Sequence, residues 1–411
     1  AGMGVLEPTP AEIEAMVAHA AEWDHAPFTP QRAAHINDMA RSFYAERLDT
    51  AWAGPYLRDR LRTDQTPPGA GYAPPGWTHL VTHLRNRGVS DDEMLSVGLV
   101  TRARTGRLID RFRDRLVLPI TADDTILGFV ARRHPDAGDE HGPKYLNTPT
   151  TPLFHKGEVL YGVDPQLVEG DAVPVLVEGP LDALAITSAG AGRFVGVAPL
   201  GTSLTQTQAR LLATLHPEPI VATDADTAGR AAAERAYWLL TQHAVMPRTL
   251  ALPDGYDPAG LLSSNGHAAL TAALTGAHPL AQNLISERLA QLPCQAPLRS
   301  VATIIAADTP DLWLHRGRQI ADAVRHDIDE VMSAIAEAAA SWNKAPSHYA
   351  TTAAAAAAAR GSGARVQRPL DSVTPNPIGL HAAASRESSR ERQAHHVVRD
   401  ARVGRNARPI R

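Results

Sequence analysis

Cysteine is nearly missing from this chain of 411 residues: Cys294 is the only one. A disulfide framework needs pairs, and a thiolate zinc site needs several cysteines at set spacing, so a disulfide-stapled fold and a cysteine-built zinc site are both excluded. Aromatic residues are scarce, at 5%. No apolar run approaches the roughly 20 residues that cross a bilayer. The amino-terminal residues also lack the ordered charged, apolar and small segments of a secretory leader. The expected location is therefore the cytoplasm, with no membrane partner. Net charge is small too: 40 Lys and Arg stand against 44 Asp and Glu, leaving −4. Such a balance does not by itself advertise a polyanionic partner. The chain begins at Ala1 rather than Met, as a piece of a longer protein would.

What is present is ordinary in amount and uneven in placement. A hydrophobic content of 44% and a charged content of 20% describe a globular protein, and the length suffices for more than one core. From Arg360 onward there are eleven arginines and four acidic residues, a surplus of seven positive charges, so the preceding 359 residues carry −11. Two readings of this split stand. One is an acid-rich catalytic core with a detached basic tail; the other is a solvated acidic surface followed by an arginine-rich disordered end.

Periodicity and punctuation divide the chain into six parts. Residues 1–62 read as helical, with Thr9 and Glu12 as a capping box for Pro10–Ala20 and Thr29 capping a helix from Pro30 to Leu48. A small docking bundle is the expectation there, with Trp23, Phe28, Phe43, Tyr44 and Trp52 supplying bulk. Residues 63–76 hold four prolines and three glycines and read as a linker. Residues 77–170 read as a mixed α+β subdomain. Trp77–Arg87 is a helix, and Ser90 caps another that opens Asp91-Asp92-Glu93. Arg115–Ile120 and Ile126–Arg132 form a hairpin around Ala122-Asp123-Asp124.

Residues 171–265 alternate strand and helix. The strands are Val173–Val177, Arg193–Ala198, Pro219–Thr223 and Arg248–Leu252. The helices are Pro180–Ala189 closed by Gly190, Thr205–Thr214, Thr227–His243 and Pro258–Ser263. This order predicts an α/β fold, α+β overall, whose mostly parallel sheet carries helices on both faces. Residues 266–345 read as a helical subdomain. Residues 346–411, with seven consecutive alanines at 353–359, read as a disordered basic tail.

Carboxylates gather at the predicted strand ends. Glu178 ends the first strand, and Asp182 lies one helical turn on. Asp224 and Asp226, two apart on an extended end, point to one side. Asp254 and Asp257 follow the fourth strand. In open α/β sheets that edge is where ligands bind. So many acids together need a divalent cation, and Mg²⁺ or Mn²⁺ suits carboxylates that share it with water and phosphates. Two or more ions are expected. Glu178, Asp224, Asp226, Asp254 and Asp257 are the candidate ligands; Glu178, Asp182, Asp224 and Asp226 are the candidate catalytic residues, with Glu178 either ligand or general base. Arg230, near a helix start, reads as a phosphate contact or a surface ion pair. The plainer alternative is that these acids merely cap the helices that follow.

Several segments resemble bacterial DnaG-type primases in family order over roughly residues 80–265. Glu178-Gly179-Pro180-Leu181-Asp182, Asp224-Ala225-Asp226-Thr227-Ala228-Gly229-Arg230 and Leu252-Pro253-Asp254-Gly255-Tyr256-Asp257-Pro258 resemble their TOPRIM domain, which topoisomerases and some nucleases share. Arg111-Phe112-Arg113-Asp114-Arg115-Leu116-Val117-Leu118-Pro119-Ile120 resembles the opening of the polymerase core. Gly142-Pro143-Lys144-Tyr145-Leu146-Asn147, Phe154-His155-Lys156-Gly157 and Leu200-Gly201-Thr202-Ser203-Leu204-Thr205 resemble further primase motifs.

The resemblance implies a TOPRIM-type sheet preceded by the mixed subdomain and followed by the helical one. It implies synthesis of short RNA primers on a single-stranded DNA template from nucleoside triphosphates by metal-dependent nucleotidyl transfer, with a replicative helicase as possible company. It also implies a basic groove for the template at Arg111, Arg113, Arg115, Arg132 and Arg133. Lys144 and Lys156, with Asn147, would hold a triphosphate or chain end.

Two departures stand out. The family's amino-terminal zinc-binding module has no counterpart here, and no zinc is expected; an accessory or mobile-element replication role fits that reduction. The family usually has glycine where this chain has Ala225, a methyl the site is expected to tolerate. A metal-dependent TOPRIM nuclease and a non-catalytic nucleic-acid-binding subunit remain the alternatives. A topoisomerase would need a tyrosine-bearing domain that is not marked here.

Overall fold

In the computed structural model the described residues are 28–164, 170–201, 203–290 and 298–341, together with residues 18, 21, 22 and 26. Apart from Ala18, the expected helix at residues 10–20 lies outside them, as do Cys294 and the basic tail. The first helix, α1 (Pro30–Ala45), starts where Thr29 accepts the Arg32 N–H at 3.3 Å and Pro30 occupies the first turn. The second is α2 (Ala53–Leu61). Strand β1 (Gly71–Ala73) comes next, then helices α3 (His79–Arg85) and α4 (Asp91–Ser96). Ser90 and Glu93 make the reciprocal capping box of α4, and Arg32 on α1 holds Glu93 at 2.7 Å. Strands β2 (Val100–Arg102) and β3 (Leu108–Asp110) form a short hairpin. The strands β4 (Arg115–Ala122) and β5 (Thr125–Arg133) form the long one. Its turn residues Asp123 and Asp124 have φ of 45° and 62°, the left-handed pair that a tight two-residue hairpin requires. Strand β6 (Tyr145–Asn147) completes an antiparallel sheet in the order β1-β4-β5-β6.

The linker expectation for residues 63–76 fails at residues 71–73. Tyr72 pairs with Leu116 and is 5% exposed, so these three residues are the edge strand of the first sheet. Glycine is required there by packing: a Cβ on Gly71 would stand 2.4 Å from the Tyr44 carbonyl carbon. Nor do α1 and α2 form a separate bundle. Ile36, Phe43 and Tyr44 of α1 share a core with Leu80, Met94, Phe112 and Phe129. Buried Asn37 donates to the Ile126 and Leu127 carbonyls at 2.9 and 3.1 Å, tying α1 to β5.

The second sheet begins with β7 (Leu160–Tyr161) and β8 (Val173–Leu176). Helix α5 (Pro180–Gly190), β9 (Phe194–Pro199), α6 (Gln206–Leu215), β10 (Ile220–Val221) and α7 (Thr227–Thr241) follow in alternation. Strand β11 (Arg248–Thr249), helices α8 (Pro258–Asn265) and α9 (His267–Thr275) and strand β12 (His278–Pro279) close the unit. The order is β12-β11-β10-β8-β9-β7; the four central strands are parallel and the two edges antiparallel. Alternation sorts the strand residues between two cores. Val175 and Ile220 pack with α2, α5, α8 and α9, while Leu176 and Val221 pack with α6, α7 and the carboxy-terminal helices. Gly190 is the last helical residue of α5 rather than its cap; Ala191 takes the left-handed position, with φ 48°.

Four helices follow: α10 (Leu280–Ala290), α11 (Leu298–Ala307), α12 (Pro310–Val324) and α13 (Ile328–Ser341). They dock on α7, where the Tyr237 hydroxyl donates to the Ile304 carbonyl at 2.8 Å. Buried Asp308 pairs with Arg316, and Trp313 donates its indole N–H to the Asp308 carbonyl at 3.2 Å. Among the described residues no helix is long and apolar enough to cross a membrane.

Helix α5 lies unusually close to β9, because a Cβ on Gly196 would come within 2.1 Å of the Ala183 carbonyl oxygen. Gly196→Ala should therefore lower stability by roughly 1–3 kcal/mol, the cost of overpacking a tight core. Urea denaturation read by circular dichroism would check it; an unchanged midpoint would mean α5 can move away freely.

Candidate active site

From β8 the chain crosses to β9 on one side and then to β10 on the other, so the crevice at their carboxyl ends is a topological switch point. Glu178 follows β8 and is exposed. Beside it, the backbone N–H of Asp224 donates to Glu178 Oε1 at 3.1 Å. Asp226 caps α7, its Oδ1 accepting the Gly229 N–H at 2.7 Å. Gly229 has no room for a side chain: a Cβ would lie 2.0 Å from the Asp224 carbonyl oxygen, so the helix start is seated directly on the acidic loop. Ala225 is not in the left-handed region, which explains why a methyl is tolerated where the family has glycine.

Asp182, in the first turn of α5, is 9% exposed, and its Oδ1 accepts the Ala259 N–H at 3.1 Å. Asp257 caps α8 by accepting the Gly260 N–H. Arg60 of α2 grips both Asp257 oxygens at 2.9 and 3.2 Å and donates to Ser263 Oγ at 3.3 Å. Asp254 is exposed on the turn closed by the Tyr256 N–H and the Pro253 carbonyl. The capping alternative is thus true of Asp226 and Asp257, alongside whatever else they do.

The acids feel one another. Burial, then the charges of Glu178, Asp257 and Asp226, push the Asp224 carboxyl up to about 6, with Lys144 opposing. Burial and the charges of Asp257 and Asp224 push Asp182 up to about 7, opposed by the Ala259 N–H and Arg60. Among the described residues no three His, Cys, Asp or Glu side chains converge closely enough to hold an ion. The acids acting on Asp224 are nevertheless all oxygen donors, and their charges outweigh that of Lys144, which fits a hard divalent cation.

Of the basic residues, Lys144 is exposed and close enough for its charge to act on Asp224. Lys156 is exposed, in a loop whose backbone is anchored on α6. Arg230 is exposed in the first turn of α7 and donates to Thr227 Oγ1 at 3.1 Å. Arg115 departs from the groove expectation. It is 5% exposed and donates to the His141 and Pro143 carbonyls at 3.0 and 2.9 Å. Arg111 holds the Asn147 carbonyl at 2.9 Å, and Arg133 holds Asp139 and the Gly142 carbonyl. Arg113 donates to the Asp110 carbonyl and stacks 4.4 Å over exposed Trp77. These charges brace loops because carbonyls left without partners there would be costly. Asn147 reaches across to donate to the Leu200 carbonyl.

Sequence reasoning missed Arg60 and the aromatic bracket of Arg132. The Arg132 guanidinium lies 5.4 Å from the Tyr56 ring and 5.5 Å from the Tyr145 ring, and donates to the Tyr145 hydroxyl at 3.2 Å. Tyr145 in turn lies against Gly179, where a Cβ would be 3.6 Å from its hydroxyl. No local pattern marks Arg60, which meets its partner across 197 residues. On the α7 side of Glu178 is a cleft of about 280 Å³, lined also by Ser203, Thr223, Ala228, Ala232 and Arg235.

Comparison with known proteins agrees with this arrangement. The family profile described as DNA primase catalytic core, N-terminal domain, matches residues 43–166, and the Toprim-like profile matches residues 175–262. The DNA primase of Deinococcus radiodurans is 37% identical over 252 residues, covering 59% of this chain and 42% of that protein. The chain spans about two-fifths of the length of the curated relatives it matches. The RNA polymerase domain of Mycobacterium tuberculosis primase DnaG is similar in structure, with TM-score 0.62, 31% identity, and coverage of 72% of this chain and 99% of that one. A DnaG primase catalytic domain bound to ssDNA gives TM-score 0.59 at 27% identity, covering 73% of this chain and 98% of that one.

Arg60→Ala should cost about 1.5–3 kcal/mol of stability, the range for hydrogen bonds to charged groups. The loss should shrink in the Asp257→Asn background, where the abandoned charge is gone. Urea titrations of the four proteins test this; simple additivity would show that Arg60 acts elsewhere.

Proposed function

Since the chain belongs to the DnaG-type primase family, we propose that it carries the primer-synthesising core: metal-dependent joining of ribonucleotides on a single-stranded DNA template. The observation that carries this reading is the meeting of Glu178 and Asp224 at the switch point, within reach of the charge of Lys144. Acids alone would serve a nuclease equally well. Lys144, in the segment leading into β6, has a charge that acts on Asp224, which supports a site that must also hold a triphosphate. A relative solved with ssDNA supports that class of template.

Glu178, Asp224 and Asp226 are the proposed first ligands for Mg²⁺ or Mn²⁺, with Asp254 and Asp257 completing the set and Asp182 behind them. When bound, the ions would neutralise charge on the attacked phosphate and leaving group and sharpen the attacking hydroxyl. In the reaction the 3′-oxygen of the growing chain bonds to the α-phosphorus of the incoming nucleotide. The bond from that phosphorus to the bridging oxygen breaks, and pyrophosphate leaves. The hydroxyl proton passes to a carboxylate of this cluster or to water. Lys144, Lys156 and Arg230 hold phosphates by charge, and Arg132, bracketed by Tyr56 and Tyr145, lines the approach. Asn147 acts from the loop it bonds rather than by direct phosphate neutralisation. Arg113 stays at the groove rim beside Trp77, while Arg115 supports the loop that presents Lys144. Holding the reactants in line is most of what such a site must supply.

The test is incorporation of labelled nucleotides on single-stranded DNA with Mg²⁺ or Mn²⁺. Short template-dependent products should form, and Asp224→Ala should reduce them by at least about 100-fold, since even outer partners of metal ligands cost 10–100-fold. Template degradation that depends on Asp224, without products, would replace this reading with a nuclease.

A further inference from the structure

Gln208 is fully buried, at 1% exposed, yet it sits on no catalytic motif. It is the third residue of α6, and the whole of its amide is in use. Its Nε2 donates to the Lys156 carbonyl at 3.0 Å and the Val159 carbonyl at 2.7 Å, and its Oε1 accepts the Thr205 N–H at 3.0 Å. Two carbonyls on one side and an N–H on the other allow only one orientation of the amide. Thr205 adds a second hold: its hydroxyl donates to the Gly157 carbonyl at 2.6 Å and accepts the Gln208 N–H at 3.1 Å. Three carbonyls of the Lys156 loop, those of Lys156, Gly157 and Val159, are thus pinned across some fifty residues of sequence to the start of one helix. Beyond the loop, the chain continues into β7, which pairs with β9.

The stretch between β9 and α6 is clasped at its other end too. There Asn147, from the Lys144 segment, donates to the Leu200 carbonyl. Leu200 and Thr205 are therefore each bonded to one of the two lysine-bearing segments. Leu204 and Ser203 of this stretch line the cleft beside Glu178.

We infer that Gln208, with Thr205, is a positioning residue: it sets the Lys156 loop at a fixed height over the sheet edge, so that the Lys156 ammonium meets substrate phosphate without first ordering its backbone. This inference rests on the proposed phosphate contact of Lys156. A flexible lysine stem gains most from a fixed base, because its own rotamer entropy is already a cost on binding.

Gln208→Glu tests it in the full chain. A carboxylate of the same shape cannot donate to two carbonyls, so the loop should loosen. Tryptic cleavage after Lys156 in the native protein should then quicken about tenfold or more, as protection of a local unit is lost. KM for nucleoside triphosphate should rise between about 10- and 100-fold, with kcat changing less, because misplacement by about an ångström has costs on that scale. Lys156→Ala should raise KM similarly, and adding Gln208→Glu to it should change KM by less than about twofold.

Thr205→Val should reproduce the effect and Thr205→Ser should restore it; this pair carries the test if Gln208→Glu fails to fold by circular dichroism. Unchanged tryptic cleavage overturns the clamp itself. Full multiplication of the two effects in the double variant overturns positioning through Lys156. Faster cleavage with a Lys156→Ala enzyme of normal KM overturns the phosphate contact, and the functional role of the clamp with it.

Discussion

The mutual repulsion of carboxylates at the ends of β8 and β10 is the constraint around which the other arrangements are organised. Like charges brought near one another raise each other's proton affinity, and Asp224 feels those of Glu178, Asp257 and Asp226. The fold answers with several partial compensations. The amino ends of α7 and α8 face Asp226 and Asp257, each bonded to a backbone N–H. Arg60 comes in from α2, and the Ala259 N–H meets Asp182. None is complete at Asp224, where burial and the neighbouring carboxylates still hold the carboxyl up. A bound cation would complete what the protein leaves undone.

The cations of the first sheet divide by chemistry. Arginine, with a planar fork of donors, is used inward: Arg111, Arg115 and Arg133 fasten carbonyls of the segment from His141 to Asn147. Lysine, a mobile point charge, is left outward at Lys144 and Lys156. A sequence rich in arginine beside a hairpin therefore overstated the free positive charge there. Bracing and binding are linked, since the same loop that Arg115 anchors carries Lys144.

The strand–helix alternation of residues 173–265 was legible because the strands β8, β9 and β10 lie in short apolar runs and each helix has its own cap or proline signal. The acids at Glu178, Asp224 and Asp226 could be read from their position at strand ends. The hairpin turn at Asp123-Asp124 was legible for a similar reason: its left-handed pair is local chemistry. Segment 63–76 was not, because prolines and glycines signal a loop unless a distant strand is there to pair with. Tyr72 has such a strand in β4. Two-residue strands such as β7 and β12 carry no periodicity at all, and only their partners define them.

Sequence alone thus determined the alternating order, the chemistry of the acidic edge and the family resemblance, since these depend on residues near one another along the chain. Tertiary structure decided which charges are available and which are taken. Arg60 meets Asp257 across 197 residues, and Gln208 meets Lys156 across 52. Such pairs follow from how packed helices and sheets bring remote backbone together. Whether a charged or amide group binds substrate or a neighbouring carbonyl is set by burial, which a local pattern does not contain.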